Sequence, residues 1–63
     1  MELQAVVDRV RGEFNEMPGL RLTPAQAARL LGLERRVCDQ ILEQLVAVSF
    51  LRRSHGGFVQ RAA

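Results

Sequence analysis

The chain carries nine basic side chains and every one is an arginine: Arg9, Arg11, Arg21, Arg29, Arg35, Arg36, Arg52, Arg53 and Arg61. A guanidinium is charged at any physiological pH and offers a planar fork of donors that matches phosphate and carboxylate oxygens. The exclusive use of arginine is read as a compositional habit, but its placement carries information. Up to Gly19, Arg9 and Arg11 stand against Glu2, Asp8, Glu13 and Glu16; beyond it, seven arginines stand against Glu34, Asp39 and Glu43. Positive charge is therefore concentrated after Gly19, a balance that suits a polyanionic partner.

The other reactive side chains are isolated. His55 sits in a polar turn between Ser54 and Gly56 with no acid, cysteine or second histidine beside it, so neither general-base nor metal chemistry is expected of it. The single Cys38 has no partner for an internal disulfide, and no Cys/His cluster has zinc spacing. There is no nucleophile with an adjacent base, no paired carboxylate site and no phosphate loop. The expectation is a non-enzymatic protein without cofactor or metal.

At 63 residues the chain is expected to form one domain, near the size at which a single core needs help from a disulfide, a metal or a second subunit. With the first two absent, a homodimer is expected. No apolar run approaches the roughly 20 residues that cross a bilayer, and Met1-Glu2-Leu3-Gln4 lacks a basic, then apolar leader. A soluble cytoplasmic protein with no membrane partner is expected.

The elements that position these residues follow from periodicity. Leu3, Val6, Val7, Val10, Phe14 and Met17 recur at helical spacing, opposite Asp8, Arg9, Gly12 and Glu16, which predicts an amphipathic helix over about residues 2–17. Pro18-Gly19 ends it, and Leu20-Arg21-Leu22 alternates as a short strand would. Thr23, Pro24 and Gln26 supply a cap, a first-turn proline and the third residue of a capping box, so a second helix is predicted over about 24–31. Gly32 interrupts the pattern. A third helix over about 34–48 buries Val37, Cys38, Ile41, Leu42, Leu45 and Val48, with Glu34 favoured by the dipole at its start and Ser49 as a weak stop. Phe50 to Arg53 and Phe58 to Arg61, joined by Ser54-His55-Gly56-Gly57, predict a hairpin over about 50–61 whose glycines adopt positive φ.

Pro24 to Glu43 resembles the twenty-residue helix-turn-helix of bacterial repressors, matching at Ala28, at Gly32 in the turn, and at apolar Ala27, Leu31, Leu33, Cys38 and Ile41. With a helix before and a hairpin after, nearly the whole chain resembles the winged helix-turn-helix domain, a mainly α (α+β) fold of three helices and a C-terminal β-hairpin wing. One departure is Ser49, where such domains often carry glycine because the chain leaves the third helix with positive φ; serine there costs on the order of 1 kcal/mol.

The resemblance implies a small transcriptional regulator that binds double-stranded DNA with the third helix in the major groove. The residues facing that way are Arg36, Asp39, Gln40, Glu43 and Ala47, with Arg35 on the flank; Arg35, Arg36 and Gln40 are the candidates for base contacts, since arginine suits guanine and glutamine adenine. Against this, Arg35 and Arg36 lie four and three residues before Asp39 and can be neutralised by it. Backbone candidates are Thr23, Gln26 and Arg29 at and along the second helix, and Arg52, Arg53 and His55 in the wing. Arg52 and Arg53 point to opposite faces, one expected to cover the domain and the other to face solvent. A homodimer would supply two half-sites, with Val46 and Val6 as candidate interface residues. The alternative from another class is a winged helix that docks a protein partner, which the mixed charge of the third helix favours; RNA binding is less attractive without Tyr or Trp.

Overall fold

The computed structural model describes residues 2–62. Its order is α1 (Leu3–Glu16), β1 (Arg21–Leu22), α2 (Pro24–Leu31), α3 (Arg35–Ala47), β2 (Leu51–Arg53), a single 3-10 turn (His55–Gly57) and β3 (Val59–Arg61). Three helices pack beside a three-stranded antiparallel sheet of order β1-β3-β2, an α+β arrangement dominated by helix.

The entry to α2 is fixed locally. Thr23 Oγ1 accepts the Gln26 amide at 3.1 Å while the Gln26 side-chain carbonyl accepts the Thr23 amide at 2.9 Å, the reciprocal box that the sequence predicts. Its exit is equally local: Gly32 adopts φ +66, and the Leu33 amide reaches back to the Ala28 carbonyl at 2.9 Å. The exit of α3 repeats this geometry with a different residue. Ser49 adopts φ +63, and the Phe50 amide donates to the Leu45 carbonyl at 2.9 Å.

The core gathers Val6, Val7, Val10 and Phe14 of α1, Ala27, Ala28 and Leu31 of α2, Cys38, Ile41, Leu42 and Leu45 of α3, and Leu51 and Val59 of the sheet. Each fully buried large aliphatic or aromatic side chain here is worth about 1.5–3 kcal/mol of transfer free energy. Small Ala27 and Ala28 keep α2 close to its neighbours, and α3 packs against both α2 and β2.

Several helix-end expectations are corrected. Val48, expected in the buried stripe of the third helix, is 65% exposed, because α3 ends at Ala47 and the backbone beyond it turns out of helical phase. Val46, expected off that stripe, packs partly buried against the core, and Val6 is buried within the chain's own core, which removes Val6 as an interface residue. Leu3 and Met17, the ends of the first predicted stripe, are exposed; Met17 lies past the last turn of α1 in non-helical backbone. The hairpin strands are shorter than 50–53 and 58–61: the Ser54 amide bonds to the Phe58 carbonyl at 2.9 Å, and the chain reverses through Gly56 and Gly57 at φ +84 and +78. Among the described residues no helix is long and apolar enough to cross a membrane.

Candidate functional site

The exposed face of α3 is set by its buried one. With Cys38, Ile41, Leu42 and Leu45 turned inward, Arg36, Gln40, Glu43 and Ala47 are left in solvent. Arg36 and Gln40 stand one helical turn apart, and among the described residues neither side chain has an ion-pair or hydrogen-bond partner. Arg35 differs. Its Nε donates to Asp39 Oδ1 at 2.9 Å, so of the two pairings open to Asp39 the structure holds the one across four residues.

A hollow lined by Pro24, Arg35, Asp39, Leu42, Glu43 and Arg53 joins the start of α2, the outward side of α3 and the end of β2. Arg29 lies beside Ala25, Ala28, Leu33 and Arg35 around an adjoining hollow, which brings a second guanidinium next to Arg35. At the start of α2, Pro24 has no amide hydrogen and the box and first helical bond occupy the Gln26 and Ala27 amides, leaving the Ala25 amide of that turn for an external acceptor. The side-chain NH2 of Gln26 is likewise left over, because only its carbonyl is used by the box.

The two arginines of β2 divide between two faces. Residues directly opposed in antiparallel strands share a face, so Leu22, Val59 and Arg53 form one row and Arg21, Gln60 and Arg52 the next, on the other side. Buried Val59 marks the first row as inward. Arg53 is thus the inward member, yet it lies at the sheet margin over the α3 hollow and is exposed; Arg52 is exposed on the outward face. One of the two thus faces the domain and the other solvent, as expected, though Arg53 itself stays exposed and Leu51 and Val59 close the core. His55 is exposed in the 3-10 turn between β2 and β3 and is not among the residues that line the hollow.

Three stacking contacts escape the sequence reading. Arg11 and Arg61 place their guanidinium carbons 4.9 and 4.4 Å from the ring centroid of Phe50, and Arg21 places its own 4.7 Å from that of Phe58. Arg11 and Phe50 belong to segments far apart in sequence, and Arg21 meets Phe58 only once β1 pairs with β3, so no local spacing announces them.

No protein-family model matches the chain, and no curated protein or solved structure matches it. Cys38 is buried, with its thiol 3.9 Å from the Pro24 carbonyl. Burial pushes that thiol above its ordinary pKa, the Asp39 carboxylate adds to the rise and the Arg35 guanidinium opposes it, which keeps the sulfur protonated and poorly nucleophilic. Among the described residues no group of three His, Cys, Asp or Glu side chains is placed to hold a metal ion. What the arrangement offers is a set of donors: Arg36 and Gln40 on the exposed face of α3, Gln26 exposed on α2, and Arg29, the Ala25 amide and Arg53 at the two hollows, where Asp39 and Glu43 interrupt them.

Proposed function

We propose that the chain is a winged helix-turn-helix domain that binds double-stranded DNA as a small transcriptional regulator, with α3 in the major groove. The observation that carries the reading is the pair Arg36 and Gln40, exposed one turn apart on α3 with no intramolecular partner among the described residues. Bidentate donors left unpaired on the outward face of a helix suit guanine and adenine edges. Around them, Arg29, the Ala25 amide and Arg53 are suited to adjacent phosphates, and the left-handed turn at Gly32 gives the helix pair its short connection. In this reading Arg53, at the α3 hollow, is the wing arginine that meets the same duplex, and His55 extends the contact at the loop tip. A homodimer supplies the second half-site, since one module of this size makes few base contacts. The protein works without catalysis, cofactor or metal, and acts in the cytoplasm.

A second reading has its own observation. The Arg35–Asp39 ion pair and nearby Glu43 leave part of the α3 face neutral or acidic, which suits a protein partner better than a phosphate backbone. Fluorescence anisotropy of a labelled duplex at several salt concentrations separates the two. DNA binding gives a linear fall of log K against log salt with a slope of about −0.9 per phosphate neutralised. Folded protein that binds no duplex at low salt leaves the docking reading in its place.

A further inference from the structure

We infer that the outward face of the sheet is a second surface for the phosphate backbone of duplex DNA, so that one chain holds two duplex segments, one on α3 and one on the sheet. The inference rests on the DNA-binding reading of α3 for its first duplex and on separate residues for its second. The register places Arg21 of β1, Gln60 of β3 and Arg52 of β2 in a single row across all three strands, on the face opposite buried Val59 and partly buried Leu22. Two strand spacings put the Arg21 and Arg52 backbones about 10 Å apart, close enough for both side chains to reach phosphates of one duplex strand.

Among the described residues no acid pairs with the row. No Asp or Glu follows Glu43 in the sequence, and among the described residues neither Arg21 nor Arg52 takes part in an ion pair. Gln60, between them, adds an amide donor. Arg21 is also held in place: its guanidinium lies over Phe58, whose other neighbour is Gly56, where even a Cβ would come within 3.2 Å of the ring. A stacked guanidinium keeps its N–H edge directed outward, which lowers the entropy lost when it meets a phosphate. Phosphates, rather than bases, suit this face because the Phe58 ring is already covered. Arg53 belongs to the inward row and to the α3 hollow, so the two arginine sets serve different duplexes.

The test is capture of a second duplex. An immobilised duplex bearing a site selected by the chain from a random pool is saturated with the full chain, washed, and offered a labelled duplex of unrelated sequence. Capture is expected, falling with salt at a log–log slope of about −1.8 for two phosphates. The R21Q/R52Q double variant, which keeps the aliphatic stems, is expected to lose capture by about tenfold or more while still preferring the selected site over a scrambled one. R52Q alone, which touches no aromatic ring, guards against a folding effect and is expected to lower the slope by about 0.9. Undiminished capture by R21Q/R52Q overturns the inference, since a dimer bridging through two α3 faces behaves in that way. A wild-type chain that holds one duplex but never a second overturns it and leaves the α3 reading intact; a folded chain that binds no duplex overturns both.

Discussion

Arg35 and Asp39 clasp each other across one turn of α3 at 2.9 Å, with 58% and 43% of their side chains still in solvent. Exposed pairs of this kind contribute little, so their importance lies in what they leave free: with Asp39 engaged by Arg35, Arg36 has no acid of its own among the described residues. Arg35→Ala is expected to change unfolding free energy by less than about 1 kcal/mol in a urea titration. Asp39→Asn is expected to tighten duplex binding roughly threefold, the effect of removing one charge about 7 Å from phosphates in a watery interface. Under the protein-docking reading the same variant gains no affinity for DNA.

The matched exits of α2 and α3 make a stability prediction. Gly32 and Ser49 share the left-handed conformation at φ +66 and +63, but only glycine adopts it without a Cβ penalty. Ser49→Gly is expected to stabilise the chain by up to about 1 kcal/mol, or raise Tm by about 4–8 °C for a domain of this size. Ser49→Val, with a branched side chain at positive φ, is expected to destabilise it. Thermal melts of both variants beside Gly32→Ala, which is expected to lose stability, check whether these positions behave alike.

Cys38 gives a pH dependence whose sign comes from its burial. Its folded-state pKa is raised, by desolvation first, so the unfolded chain releases the thiol proton at lower pH than the folded one. The contribution is complete below the ordinary thiol range and is lost as pH climbs through the raised value, so stability declines on the alkaline side. Cys38→Ala is expected to remove that part of the decline in denaturant titrations between neutral pH and pH values above the thiol range. At neutral pH the native thiol is expected to resist a thiol reagent that reacts promptly in denaturant.

Features decided within a few residues were legible in the sequence. Thr23, Pro24 and Gln26 specify the start of α2 by their own hydrogen-bonding chemistry, whereas the positive φ at Ser49 is expected only through the resemblance to winged helix-turn-helix domains, since serine does not announce it. Features decided by helix phase at a terminus were not. Val48 caps α3 with non-helical backbone and stays exposed, while Val46, inside the helix at the edge of the stripe, packs partly buried because tertiary neighbours reach it. Alternation separates Arg52 from Arg53, but which of them faces inward depends on pairing with Val59, a contact fixed by sheet register rather than by neighbours in sequence. The second arginine of the outward row, Arg21, is invisible for the same reason until β1 and β3 meet.

Assembly is a separate prediction. Leu3, Met17, Leu30 and Val48 remain exposed as large apolar side chains on a chain small enough to benefit from covering them. Sedimentation equilibrium is expected to show a dimer, and a duplex with two half-sites to bind two chains. A strict monomer, free and on DNA, removes the homodimer from the proposal while leaving the fold unaffected.

Reading and holding are distinguished by three substitutions. Arg36 and Gln40 are unpartnered among the described residues on the outward face of α3, whereas Arg53 borders the hollow from the end of β2. If the first two meet base edges, Arg36→Ala or Gln40→Ala is expected to cost about 1–3 kcal/mol on a selected site and to relax preference at one base pair. If Arg53 meets a phosphate, Arg53→Ala is expected to weaken selected and scrambled duplexes alike and to reduce the salt slope by about one. Anisotropy titrations of the three variants on both duplexes supply the comparison. Equal losses on both duplexes for Arg36→Ala and Gln40→Ala turn α3 from a reader into an anchor. No loss for either takes the α3 face away from DNA and leaves the Arg35–Asp39 pair and Glu43 as the features a protein partner would meet.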